Sequence, residues 1–138
     1  MQLNGTFYIQ QRGTGLYLDA FATKKDNSAV TRAFQNDRSQ VWQITPLGNE
    51  FYLIRQLSTG RHLDAFHKGG DFSAVTRSNQ DNASQRWIIR SVPGNSYTIQ
   101  QQVNSRYLGA ISGPKGGKAM TMTSPNDPSQ QWTLVPVR

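Results

Sequence analysis

The chain has 138 residues, enough to close one hydrophobic core, and it contains no cysteine, which excludes disulfides, thiolate metal sites and thiol nucleophiles. Only 17% of the residues are charged and 36% are hydrophobic, while Gln, Asn, Ser, Thr and Gly are abundant, a balance that disfavours long solvated helices and favours strands and turns. Fifteen Lys and Arg against eight Asp and Glu give a formal charge of +7, a field that attracts polyanions without specifying one.

The opening "MQLNGTFYIQ" lacks the charged head and continuous apolar run of a secretory signal, and no later segment has the length of a membrane span. The expected location is therefore the cytoplasm as synthesised, with release by a non-classical route left open. Apolar residues alternate in "TFYIQQ" at 6–11, and again in "LYLDAF" at 16–21, "SAVTRAF" at 28–34 and "QVWQITPL" at 40–47. Period-two alternation bounded by Gly, Asn, Asp, Ser and Lys predicts four short strands.

The series then recurs. Trp42, Trp87 and Trp132 stand 45 residues apart, as do Leu18, Leu63 and Leu108; Ile9, Ile54 and Ile99; Ala20, Ala65 and Ala110; and Gln11, Gln56 and Gln101. This predicts three units, at approximately 5–49, 50–94 and 95–138, of four strands each in one domain. Three such units expose raw strand edges unless they close around a shared axis. The expected fold class is accordingly all-β, a β-trefoil: first and last strands of each unit form a six-stranded barrel, and the middle two form hairpins that cap one end.

Gln40 and Trp42, Gln85 and Trp87, and Gln130 and Trp132 repeat one Gln-x-Trp signature, each preceded in its unit by Leu-Asp-Ala or Leu-Gly-Ala. Across essentially the whole chain this pattern resembles the ricin B-like β-trefoil lectins. The resemblance implies a carbohydrate-binding protein without cofactor or catalysis, galactose-type sugars as the favoured ligands, and Asp19 and Asp64 as the sugar-contacting acids. Residues present in all three copies, the Trp and Gln among them, fit the scaffold: the indoles in the core, the amides on backbone groups near the hairpins.

Other positions break the symmetry together. Asp19 and Asp64 give way to Gly109, Arg32 and Arg77 to Met122, Phe21 and Phe66 to Ile111, and Asp26 and Asp71 to Gly116. A hairpin turning near Lys25 and Asp26 would set Asp19 opposite Arg32 and Asp64 opposite Arg77, an ion pair contributing about 0–1 kcal/mol if exposed. An ion pair alone does not account for Phe21, which alternation places beside Asp19 on the less buried face. A carboxylate accepting hydrogen bonds from sugar hydroxyls beside a ring that stacks on pyranose C–H bonds accounts for the whole set.

The candidate sugar-binding residues are therefore Asp19, Phe21, Thr31, Arg32 and Asn36 in unit one and Asp64, Phe66, Thr76, Arg77 and Asn82 in unit two, with unit three silent. Phe34, His67 and Phe72 are alternative stacking rings. An arginine in the site suits an acidic or heavily hydroxylated glycan. Two sites on one rigid body raise avidity by roughly 10² to 10⁴.

Three other functions are weaker. Lysines in the hairpin stretches "ATKKDNS", "HKGGDFS" and "SGPKGGKA" could form a basic crown for heparin-like glycans, phosphoinositides or anionic membrane, but they do not hold equivalent positions. A β-trefoil protease inhibitor needs one distinctive loop, and these loops are nearly uniform. Nucleic acid is disfavoured because the basic residues are dispersed. His62 and His67 are the only histidines and form no recognisable catalytic or metal-binding spacing; His62, in the place of Tyr17 and Tyr107, reads as a strand residue. Membrane association is expected only through glycan or weak electrostatics, and nothing in the sequence decides against a homodimer.

Overall fold

A computed structural model describes residues 3–23, 27–111, 116–123 and 126–137. Its twelve strands follow the predicted order: β1 (Gly5–Gln11), β2 (Tyr17–Ala20), β3 (Ala29–Arg32), β4 (Trp42–Gly48), β5 (Phe51–Gln56), β6 (His62–Ala65), β7 (Ala74–Arg77), β8 (Trp87–Val92), β9 (Ser96–Gln101), β10 (Tyr107–Ala110), β11 (Gly117–Met122) and β12 (Trp132–Pro136). A short 3-10 turn precedes the last strand of each unit, at Arg38–Gln40, Ala83–Gln85 and Pro128–Gln130.

Antiparallel pairing closes β1, β4, β5, β8, β9 and β12 into a ring, with β1 joined to β12 from Phe7↔Pro136 to Gln11↔Trp132. The hairpins β2–β3, β6–β7 and β10–β11 stand on one end. They interlock around the axis: β11 pairs with β3, Thr76 N–H donates to Asn27 O, and Thr121 N–H donates to Phe72 O. The architecture is the β-trefoil that the repeat arithmetic requires.

The threefold residues form the core. Trp42, Trp87 and Trp132 are all 0% exposed, and their indole N–H groups donate to Leu18 O, Leu63 O and Leu108 O at 3.0, 3.0 and 2.9 Å. Ile9, Ile54, Ile99 and the three leucines pack with them. The recurring glutamines join each unit to its predecessor in the ring. Gln56 Nε2 donates to Ala20 O and Ser39 O, Gln101 Nε2 to Ala65 O and Ser84 O, and Gln11 Nε2 to Ala110 O and Ser129 O. A buried carbonyl left without a donor costs about 1–3 kcal/mol, which is why a symmetric fold places an amide at every junction.

The hairpin register differs from expectation by two residues. In unit two the turn is Gly69–Gly70, where φ values of 66° and 77° require residues without a side-chain penalty. That turn pairs Asp64 with Val75 and His62 with Arg77; in unit one Asp19 likewise pairs with Val30 and Tyr17 with Arg32. Each arginine is therefore diagonal to its acid rather than opposite, and still on the same face.

Candidate functional site

Alternation along β2 sends Leu18 and Ala20 into the core and leaves Tyr17, Asp19 and the following Phe21 on the outer face. Residues Arg38–Gln40 then fold back over this face. Asp37 initiates that turn by accepting from Ser39 N–H, and Gln40 fastens it, its amide donating to Ala33 O and its carbonyl accepting from Gln35 N–H. Gln85 repeats both bonds in unit two, with Ser78 O and Gln80 N–H, and also donates to Asp64 Oδ2 at 3.1 Å. The glutamines thus serve the backbone near the hairpin, and Gln85 serves the acid as well.

The cluster expected from the sequence is assembled twice with the same geometry. Arg32 Nη1 lies 3.9 Å from Asp19 Oδ2 and Arg77 Nη1 lies 4.0 Å from Asp64 Oδ2. Each guanidinium carbon stands 5.7 Å from the ring centre of its own phenylalanine, Phe21 or Phe66. Phe21 and Phe66 are 37% and 39% exposed, as an outer face requires.

The acids depart from expectation. Asp19 is 1% exposed and Asp64 0%, because the 3-10 turn covers one side of each carboxylate and the arginine the other. Asp19 Oδ1 accepts from Ala20 N–H, Asp64 Oδ1 from Ala65 N–H, and Asp19 Oδ2 has no hydrogen-bond partner. The surface therefore offers a half-exposed guanidinium and a ring, with the carboxylate beneath them.

Four further candidates lie elsewhere. Thr31 and Thr76 pair with Leu18 and Leu63 and share their inward face, so they are buried around the axis and not beside the acids. Asn36 is an exposed turn residue with φ 54°, equivalent by 45-residue spacing to Asp81 at φ 50°. Asn82 heads the second 3-10 turn and accepts from Ser84 Oγ. The two asparagines occupy different positions of the repeat and belong to no common site.

Among the alternative rings, Phe72 lies 3.6 Å from the guanidinium carbon of Arg106 in unit three, away from the unit-two acid. Phe34 joins an aromatic cluster unique to unit one, with ring centres 5.3 Å from Tyr8 and 5.4 Å from Tyr17. Since Tyr17 faces Arg32 across the hairpin, this wall adjoins the unit-one cluster. Tyr17 was recoverable from the sequence, because period two places it beside Asp19. His67, with Phe66, Lys68, Asp71 and Arg77, lines a small pocket at the unit-two cluster. Asp71 itself is a turn former, accepting from Ser73 N–H. Lys24, Lys25, Asp26 and Lys115 lie outside the described residues, so the basic crown is undescribed over most of its lysines.

Unit three is closed to an acid. A side chain at Gly109 would meet Gln130 Cγ at 2.8 Å, Met122 Sδ at 3.1 Å and Ser129 O at 3.1 Å, and Gln130 Nε2 donates to Met122 Sδ. Ile111 stands exposed at an apolar trough in the place of Phe21 and Phe66. Among the described residues, no group of three or more His, Asp or Glu could hold a metal ion.

His62, opposite Arg77, has its pKa lowered by burial first and by the Arg55 charge second, and its Nδ1 has no hydrogen-bond partner. The unfolded chain therefore takes up this proton more readily than the folded one. The neutral imidazole's contribution is complete above the ordinary value of 6.5 and is lost as pH falls below it. Between about pH 7.5 and about pH 5, the thermal midpoint of the wild type should fall further than that of His62→Tyr, which carries the residue found in the other two units. Parallel curves would remove His62 from the pH response.

The ricin-type beta-trefoil lectin domain-like family model matches residues 2–81 and 83–138. Among solved structures, the designed threefold-symmetric protein ThreeFoil superposes with a TM-score of 0.88 at 17% identity, over 97% of this chain and 100% of that one. SeviL, solved bound to asialo-GM1 saccharide, gives a TM-score of 0.78 at 19% identity over 99% and 100% of the two chains. The Polyporus squamosus lectin, bound to a Neu5Acα2-6Galβ1-4GlcNAc epitope, gives 0.78 at 19% identity over 97% of this chain and 49% of its own. No curated protein matches in sequence. These solved neighbours share the β-trefoil fold, and with the family model covering nearly every residue, the chain belongs to the ricin-type β-trefoil lectin domain-like family.

Proposed function

We propose that the chain is a divalent, non-enzymatic lectin for galactose-type glycans, with one site at Asp19, Arg32 and Phe21, a second at Asp64, Arg77 and Phe66, and a silent third unit. One observation carries this reading: the same acid, guanidinium and ring are built twice at matching distances and dismantled together at Gly109, Met122 and Ile111. The guanidinium donates to sugar hydroxyls and the ring stacks on the C–H face of the pyranose. The buried carboxylate fixes the arginine's charge and direction. In unit one, Phe34 and Tyr17 extend the stacking wall. SeviL and the Polyporus lectin were each solved with a saccharide, which agrees with a glycan ligand on this fold.

Arginine-assisted binding of a neutral sugar releases few counterions, whereas binding through a basic crown would release many. On a glycan array read at about 50 mM and about 500 mM salt, signals on neutral galactose-terminated glycans should persist within roughly threefold. Signals confined to polysulfated glycans and lost at the higher salt would replace this reading with the polyanion one.

A further inference from the structure

At two junctions between hairpins, one residue of the preceding unit lies beside the arginine that immediately precedes the second strand of the next. At the junction of units two and three these are Phe72 and Arg106. The ring covers the guanidinium at 3.6 Å, and Arg106 is latched by Nε to Thr121 Oγ1 at 3.2 Å and by Nη2 to Thr121 O at 2.7 Å. At the junction of units one and two the equivalent residues are Asn27 and Arg61. Arg61 keeps the bond to Thr76 O at 2.8 Å, but its Nε and Thr76 Oγ1 both lack hydrogen-bond partners. Where the phenylalanine ring would stand, there is a pocket of about 330 Å³ lined by Asn27, Ser28, Arg61, Phe66, Thr76 and Arg77, together with Val75. The remaining junction has Gly117 and Leu16 and carries no such charge.

The unit-two pocket is thus lined by two guanidinium groups, an amide and two hydroxyl residues, and no acidic side chain is among its described lining residues. Its only aromatic wall is Phe66, and it shares Phe66 and Arg77 with the unit-two cluster. Arg77 is paired from behind with Asp64, whereas Arg61 has no acidic partner among the described residues and a free Nε, so the cavity carries an uncompensated guanidinium that favours an anion, and planar guanidinium forks pair well with carboxylate and sulfate. We infer that this pocket is an anionic-saccharide subsite: it takes the carboxylate or sulfate of an acidic sugar residue while a neighbouring sugar rests on Phe66. This rests on the lectin reading above and deepens it, since it assigns acid selectivity to unit two alone.

The test is calorimetric titration of the full chain with lactose, 3′-sialyllactose and lactose 3′-sulfate at about 50 mM salt, where charge contacts are least screened. At least one anionic glycan should bind about tenfold or more tighter than lactose, as expected for charge-assisted hydrogen bonds. The carboxylate and sulfate arms show which anion the pocket prefers, and either preference supports the subsite. Arg61→Gln removes one cation. Asn27→Phe refills the pocket as Phe72 does at the next junction, and leaves the backbone bond from Thr76 N–H to residue 27 intact. Each variant should bring the anionic-to-neutral ratio to within about twofold of one, with lactose affinity unchanged. Equal affinities for all three glycans in the wild type, or a preference that survives in folded Asn27→Phe, overturns the subsite alone. Absence of binding to any of the three overturns the subsite and the lectin reading together.

Discussion

Replacing both Arg32 and Arg77 by glutamine should abolish the proposed glycan binding while the fold survives. A charge-assisted hydrogen bond is worth about 1.5–3 kcal/mol, so each site loses roughly one to two orders of magnitude. On a multivalent surface the loss exceeds about 100-fold, because avidity is lost along with the individual contacts. Each acid keeps its bond from the Ala20 or Ala65 N–H, so loss of the neighbouring cation should cost about 1–3 kcal/mol at each site, against a typical domain stability of about 5–15 kcal/mol. Arg→Lys at both positions keeps the charge but loses the fork and should bind at an intermediate level.

The acids rank below the arginines in this ordering. An acid meeting the sugar directly would make Asp19→Ala with Asp64→Ala the null variant; with both carboxylates buried, that pair should weaken binding about tenfold without abolishing it. The measurements are a thermal melt and a titration on immobilised galactosyl glycan for each variant. Full binding by a folded Arg32→Gln, Arg77→Gln double variant would falsify the site assignment.

Trp87→Ala should cost about 3–5 kcal/mol, the range for a large aromatic removed from a well-packed core. The side chain is 0% exposed and its indole N–H is the donor to Leu63 O, so the variant both opens a cavity and strands a buried carbonyl. In a chain of this size the thermal midpoint should drop by about 10 °C or more. Trp42→Ala and Trp132→Ala should fall by similar amounts, since the same bond and burial recur in each unit. A spread among the three wider than about 2 kcal/mol would show that the barrel does not share its load by thirds.

The scaffold was legible because its physics is periodic. Alternation named the strands, and the 45-residue spacing of Trp, Leu, Ile and Gln named the core, since equivalent surroundings demand equivalent residues. The gathering of acid, arginine and ring was legible from the way they are kept or lost as a block. The depth of the acids was not, because the segment that covers Asp19 comes from Arg38–Gln40, and no local pattern on β2 announces it. The hairpin register escaped because the two-residue Gly69–Gly70 turn lies one residue earlier than a turn equivalent to Lys25–Asp26, which shifts every pair by two; Thr31 and Thr76 face inward simply because they alternate with Arg32 and Arg77. Arg61 followed the 45-residue arithmetic with Arg106, but its meaning depends on Asn27 from the preceding unit, a neighbour that only the interlocked hairpins supply.

The seam between β1 and β12 has a kinetic consequence. Phe7 pairs with Pro136, so the ring gains its last row of ladder bonds only when residues from nearly opposite ends of the chain meet. Non-local pairing of this kind must overcome chain entropy before it is rewarded, and refolding belongs in the millisecond-to-second regime of sheet proteins, well outside the microseconds of helical bundles.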